Sequence, residues 1–172
     1  MTKTGNLAAA FLAEFDHEWA TTRTLVALAP PAKLAWKPHS KSMSLGDLVT
    51  HLTNIPTWVE RTLRLTELDL APLGGPAYVP PKVQSVADTL KAFDANVSAA
   101  RAVIAATNDA DFHVPWTLKK GGVALFTLPR AACLRSFVFN HMIHHRGQYT
   151  VYLRLCDVAL PSVYGPTADV GF

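Results

Sequence analysis

A chain of 172 residues that is 49% hydrophobic and only 17% charged is too apolar to remain disordered, and its length suits one domain with one core. The formal net charge of +3 comes from Lys and Arg spread along the chain, with Lys119-Lys120 the densest spot. No basic stripe is interleaved with aromatics, which argues against a nucleic-acid partner, and no apolar run approaches the roughly 18–20 residues of a membrane span. Cys133 and Cys156 form no C-x-x-C pair and read as reduced, mostly buried thiols of an intracellular protein. The N-terminal MTKTGNLAAAFLAEFDHEW lacks a signal peptide's layout, because acidic residues interrupt its apolar run. A cytoplasmic protein with no membrane partner is expected.

The first helix is predicted from about Asn6 to Ala29. Leu7, Phe11, Phe15, Trp19, Leu25 and Leu28 recur near a period of about 3.6 residues, and Pro30-Pro31 stops the pattern. Ser44-Leu45-Gly46-Asp47 is a Ser-x-x-Asp helix start, since the serine hydroxyl can accept the free Asp47 amide. From there a second helix is expected to about Thr66, with Leu45, Leu48, Leu52, Ile55 and Val59 inward and a kink or loosened turn at Pro56. Residues 69 to 83 are rich in Pro and Gly and read as a long irregular connection that crosses the molecule. A third helix is predicted from about Ser85 to Ala106, with Val86, Leu90, Phe93, Val97 and Val103 as its stripe. Lys119-Lys120-Gly121-Gly122, flanked by Trp116-Thr-Leu and Val123-Ala-Leu-Phe, suggests a small hairpin. The fourth helix starts near Pro129 and runs to about Cys156. Four amphipathic helices in one domain spanning 1–172 imply an all-α four-helix bundle.

The segment HMIHHRGQYT, residues 141 to 150, places three of the seven histidines within five positions. His141 and His145 are four apart and share a face, which the periodicity of Leu134, Phe137 and Val138 assigns to the core side. Two imidazoles at that spacing can reach one metal ion. His144 is turned by about 100° from His145 and cannot easily share it. A third donor is available in His51, on or beside the buried stripe of the second helix. Three histidines leave positions open for water or substrate, the arrangement of catalytic rather than structural sites. The competing reading is a set of core histidines satisfied by hydrogen bonds. A zincin is excluded, because Met142 stands where its glutamate is required, and neither G-x-S-x-G nor G-x-x-x-x-G-K-S/T is present.

The segments Ser42-Met43-Ser44-Leu45-Gly46-Asp47-Leu48-Val49-Thr50-His51 and Asn140-His141-Met142-Ile143-His144-His145-Arg146-Gly147-Gln148 precede the ending Leu160-Pro161-Ser162-Val163-Tyr164-Gly165-Pro166. Together they resemble the DinB/YfiT-like superfamily, small metal-binding four-helix bundles, over nearly the whole chain. The resemblance implies His51, His141 and His145 as ligands of a divalent ion, nickel or zinc first, iron or manganese otherwise. It also implies an up-down-down-up bundle with a long crossover after helix two, and a homodimer. Some relatives are thiol-dependent transferases or isomerases using mycothiol, bacillithiol or glutathione. The acidic residues that often follow Tyr-Gly-Pro are reduced here to Asp169.

The expected activity is thiol S-transfer or hydrolysis on a small molecule, through a metal-activated thiolate or water. The alternative is a non-catalytic metal-binding or stress-response helical protein acting through dimerisation. His144 and Gln148 are the helix-four candidates for assisting groups. Arg146 reads either as a clamp for a substrate carboxylate or thiol cofactor, or as an ion pair fastening the helix to a loop or dimer partner. Gly147 costs about 1 kcal/mol against Ala in a helix, which predicts close approach of a neighbouring element. Trp58, one or two turns from His51, is expected to pack.

Overall fold

A computed structural model describes residues 6–76, 79 and 85–171. Asn6 starts helix α1, Leu7–Val26, by accepting the Ala9 amide on its side chain. Helix α2, Leu45–Asn54, opens on a full capping box. Ser44 Oγ accepts from the Asp47 amide at 3.0 Å, and the Asp47 carboxylate accepts from the Ser44 amide at 3.3 Å. A cap of this kind contributes about 1 kcal/mol. Pro56 has no amide hydrogen to continue the ladder, so α2 ends at a turn over residues 55–56. Helix α3, Thr57–Arg64, then begins separately, and the single second helix read from periodicity is two. Ser85 caps α4, Val86–Ala105, by accepting the Asp88 amide. The last helix is continuous but not uniform: α5, Arg130–Cys133, passes into a π segment, Leu134–Asn140, and then into α6, His141–Leu155.

Ion pairs record how these helices run. Arg23 meets Asp94 at 2.6 Å and Arg101 meets Asp16 at 2.8 Å, so α1 and α4 are antiparallel neighbours. Both pairs are about half exposed, so solvent screens them and they orient the helices more than they stabilise them. Glu14 pairs with Arg135 and Glu18 with Arg146, which sets α1 parallel to the last helix. Tyr152 Oη donates to the Met43 carbonyl while His51 meets His141, so α2 runs against α6. The core lies between them. Phe15 stacks on Trp19 at 4.1 Å, and Trp19 meets Phe139 edge-on at 5.2 Å. Leu45, Leu48, Leu52, Ile55 and Val59 are all buried against this cluster. Burying each such side chain stabilises the fold by about 1.5–3 kcal/mol.

An all-α fold is not what the chain adopts. A three-stranded mixed sheet, order β1-β2-β3, sits beside the helices. Strands β2, Pro115–Lys120, and β3, Val123–Pro129, form the hairpin, turning at Gly121 and Gly122 with φ of 62° and 79°. Positive φ at two successive turn residues is what a two-residue hairpin turn of type I′ requires. The unexpected member is β1, Glu67–Asp69, which pairs parallel to β2 with Leu68 opposite Leu118. Asp69 clamps the hairpin tip, its carboxylate accepting the Gly121 and Gly122 amides at 2.9 and 2.7 Å. The Ala71 amide, and after it those of Gly122 and Gly121, hold the Asp69 carboxyl below its ordinary pKa. Of the Pro-rich connection, residues 77, 78 and 80–84 lie outside the described residues, as do residues 1–5 of the N-terminal segment. Among the described residues no helix is long and apolar enough to cross a membrane.

Candidate metal centre

The π segment decides which way the histidines face. A π turn closes i→i+5 hydrogen bonds and so holds more residues than an α turn. The buried stripe of the last helix therefore runs Leu134, Val138, Met142, Arg146, Tyr149 and Leu153. A uniform α period from Leu134 and Val138 points to His141 and His145 instead, as the sequence suggested. The extra residue moves the stripe on by one position. His141 and His145 are left half-buried on the flank of α6 that faces α2, and Phe137 is 36% exposed.

On that flank the histidines meet His51 of α2. His51 Nε2 and His141 Nε2 are 2.8 Å apart. The ring centroids of His51 and His145 are 4.4 Å apart, and those of His141 and His145 are 4.5 Å apart. One ring nitrogen from each of the three lies within 4.8 Å of the others. Burial lowers the pKa of His51 and His141 to about 4, and the neighbouring imidazoles push in the same direction. Burial lowers that of His145 as well, against a raising hydrogen bond from Gln148. All three are neutral near pH 7, the form that ligates metals.

These shifts have a consequence for the metal-free protein. As pH falls below about 6.5 the unfolded chain takes up protons on His51 and His141, and the folded chain does so only near 4. Their contribution is complete above about pH 7 and is lost as pH falls from about 6.5 to 4. Thermal melts are expected to hold a constant midpoint at about pH 7–8 and to fall progressively below about pH 6. A midpoint that does not move between about pH 6 and 4.5 contradicts the burial of these rings.

The remaining candidates take distinct places. Gln148 Oε1 is 2.7 Å from His145 Nδ1, so it accepts the Nδ1 proton and leaves the Nε2 lone pair available. His144 is exposed, its ring 5.0 Å from that of His145, and is outside the three-histidine group. Arg146 is 1% exposed and turned into the core. Its Nη2 lies 2.6 Å from Glu18 Oε2 and donates to Tyr164 Oη, and its Nη1 donates to the Glu18 carbonyl at 3.0 Å and to Thr22 Oγ1 at 3.3 Å. Tyr164 Oη also donates to the Glu18 carboxylate at 2.7 Å. The arginine thus ties α6 to α1 and to the C-terminal tail. Close approach does not explain Gly147, since a Cβ there would meet nothing within 4 Å among the described residues. Cys133 and Cys156 are both free, and burial pushes the Cys133 thiol pKa up, which makes it a poor nucleophile.

Glu18 and Tyr164 escaped the sequence reading. Glu18 had a signal: Phe11, Phe15, Glu18, Thr22 and Leu25 alternate spacings of four and three, so a carboxylate sits in an apolar stripe. Tyr164 stood in the quoted Tyr-Gly-Pro ending but showed no sign of a buried partner: the residue is 64% exposed, while its ring lies against the Arg146 guanidinium and its hydroxyl reaches Glu18.

A cavity of about 240 Å³ adjoins the histidines. Helix α3 lines it with Trp58, Arg61 and Thr62, the sheet with Leu68, Trp116, Leu118 and Phe126, and the last helix with Phe137 and His141. Trp58 shares the cavity wall with His141 and packs on the histidines, its ring 5.0 Å from that of His141 and 5.6 Å from that of His51.

The family model of the DinB superfamily matches residues 14–149. The chain belongs to the DinB superfamily. Solved structures agree at the level of the fold. A DinB-like protein from Bacillus cereus superposes with a TM-score of 0.69 at 20% identity, over 90% of this chain and 95% of its own. Another from Bacillus subtilis superposes with a TM-score of 0.65 at 17% identity, over 88% of this chain and 95% of its own. No curated protein matches the sequence.

The donors of this DinB-superfamily protein fit a divalent ion. Nitrogens 2.8 Å apart can both reach a centre at about 2.0–2.1 Å, because their separation is less than twice that length. The site offers neutral imidazoles, and Gln148 already fixes the tautomer of one. Among the described residues no further His, Cys, Asp or Glu joins the group. That leaves coordination positions for an external ligand.

Proposed function

We propose that the protein is a divalent-metal enzyme that acts on a small molecule by thiol S-transfer or hydrolysis. The observation carrying this reading is the double role of His141, one of the three clustered histidines and also part of the cavity wall. Nickel and zinc suit an all-imidazole set, with iron or manganese as further options. When bound, such an ion lowers the pKa of a water or thiol ligand and supplies a nucleophile near neutral pH. His51, His141 and His145 hold the ion, and Gln148 keeps His145 in the ligating tautomer. Trp58 and the sheet shield the cavity side from water. His144, exposed beside His145, is the nearest group placed to pass a proton between site and solvent. The buried Cys133 does not serve as the thiol, so S-transfer draws on a low-molecular-weight thiol from solution.

Elemental analysis of the purified protein tests this reading first. About one ion per chain is expected in the wild type and less than about a tenth of that in a His141→Ala/His145→Ala variant. Equal loads in the two sink the metal assignment. The loaded protein is then assayed with electrophiles plus a thiol, and with esters and amides without one. Product formed only with thiol selects S-transfer, and product formed without it selects hydrolysis. A loaded protein whose ion admits no external ligand counts against turnover.

A further inference from the structure

The cavity beside His141 carries information on what enters. Its sheet-side wall is one register row: Leu68 of β1 faces Leu118 of β2, which faces Phe126 of β3. Phe126 in turn stacks on Phe137 of the π segment at 4.5 Å with only 7° between the planes. Trp116 and Trp58 add aromatic area on either side. The Trp116 indole N–H is already committed to the Arg61 carbonyl at 3.1 Å, so that ring offers the cavity its apolar face. Thr62 and Arg61 complete a wall whose surface is overwhelmingly apolar, and among the described residues no acidic side chain is in it. Walls of this kind disfavour a cationic guest, which would lose its hydration with no carboxylate to meet it.

The volume narrows the choice further. About 240 Å³ exceeds the roughly 150 Å³ apolar cavity that takes benzene, and falls short of the roughly 300–1,000 Å³ of drug-sized sites. One ring with a short substituent fits, and flat aromatic walls suit a flat guest. The wall has one end at His141, whose Nε2 is directed to His51 rather than into the cavity.

We propose that this cavity holds the body of the substrate as a single uncharged aromatic ring, or a branched hydrocarbon group of that size, with its reactive substituent at the His141 end. The proposal rests on the metal-enzyme reading for the placement of the reactive end, and on the cavity alone for the class of body.

Titration calorimetry with toluene, a ring without a reactive group, tests the cavity. Saturable binding is expected in the wild type, and benzylammonium, its cationic counterpart, is expected to bind at least tenfold more weakly. Leu118→Phe and Leu68→Trp each fill the cavity from a different strand. Each is expected to weaken toluene at least tenfold while retaining the wild-type circular dichroism spectrum. Using two strands keeps the test open if one variant fails to fold. No saturable toluene binding, or binding within twofold of wild type in a folded filling variant, overturns the proposal.

A His145→Ala variant separates this outcome from the metal question, because His145 is not in the cavity wall. It is expected to lose its ion and to keep toluene affinity within twofold. If it keeps the ion, the metal reading fails while the cavity result stands. The reactive end is read with phenylmethanethiol against ethanethiol on the metal-loaded protein. A tenfold or greater preference for the aryl thiol that collapses in Leu68→Trp is expected, and equal affinities overturn the placement.

Discussion

An Arg146→Met variant is expected to be about 3–5 kcal/mol less stable than the wild type. The Arg146 side chain is 2% exposed and that of Glu18 8%, so removing the arginine strands a carboxylate in the core. Tyr164 Oη keeps its bond to Glu18 but loses the donor that fixes it from the other side. For a chain of this length about 1 kcal/mol shifts the melting midpoint by roughly 2–4 °C, so a drop of roughly 6–20 °C is expected. Glu18→Leu combined with Arg146→Met is expected to recover most of the loss, because a buried ion pair replaced by apolar groups of similar volume is close to neutral. Urea unfolding of both singles and the double measures the coupling. Single variants no worse than the exposed Arg23→Ala would show that the pair is not buried in solution. The network also bears on the site: Arg146 follows His145 directly and locks the rotation of α6 against α1, keeping His141 and His145 turned to α2.

Gln148→Leu is expected to weaken metal binding by about 10- to 100-fold without unfolding the protein. Gln148 is exposed, so its packing contributes little. Its amide oxygen, 2.7 Å from His145 Nδ1, holds the proton on Nδ1 and the lone pair on Nε2. Leucine cannot accept that hydrogen bond, and the imidazole then divides between tautomers and orientations. Gln148→Glu keeps an acceptor at the same distance and is expected to retain wild-type affinity or better. Competition against a chelator of known affinity measures all three proteins. A leucine variant that matches both the wild type and the glutamate variant would remove Gln148 from the site.

The helix starts and the His141–His145 pair were legible because each depends on residues a few positions apart. Asn6, Ser44 and Ser85 cap the helices they precede through side chains that accept amides three residues on. His141 and His145 share a face because four residues make about one turn. Pro56 announced a disruption, but whether it bends the helix or divides it depends on what packs around the turn, and the helix divides.

The sheet was only half legible. The hairpin advertised itself through Lys119-Lys120-Gly121-Gly122. Strand β1 spans only Glu67, Leu68 and Asp69, too short to show alternation, and exists because β2, some fifty positions on, supplies its partners. Without β1 the sheet-side wall of the cavity beside His141 loses Leu68 and keeps only Trp116, Leu118 and Phe126 of the hairpin.

By itself the sequence determined four helical segments, the Ser44 cap of the second, a histidine pair able to share one ligand, and a third histidine on a neighbouring stripe. These follow from local periodicity and from the hydrogen-bonding chemistry of single side chains. The tertiary structure decided the mixed sheet, the one-residue advance of the buried stripe after the π segment, the pairing of Arg146 with Glu18 and Tyr164, and the cavity. The sheet, the arginine network and the cavity depend on groups far apart in the chain, 128 positions for Glu18 and Arg146, 146 for Glu18 and Tyr164. Buried charge and unpaired strand edges are stabilised only by partners that packing brings to them, and no local pattern records who those partners are.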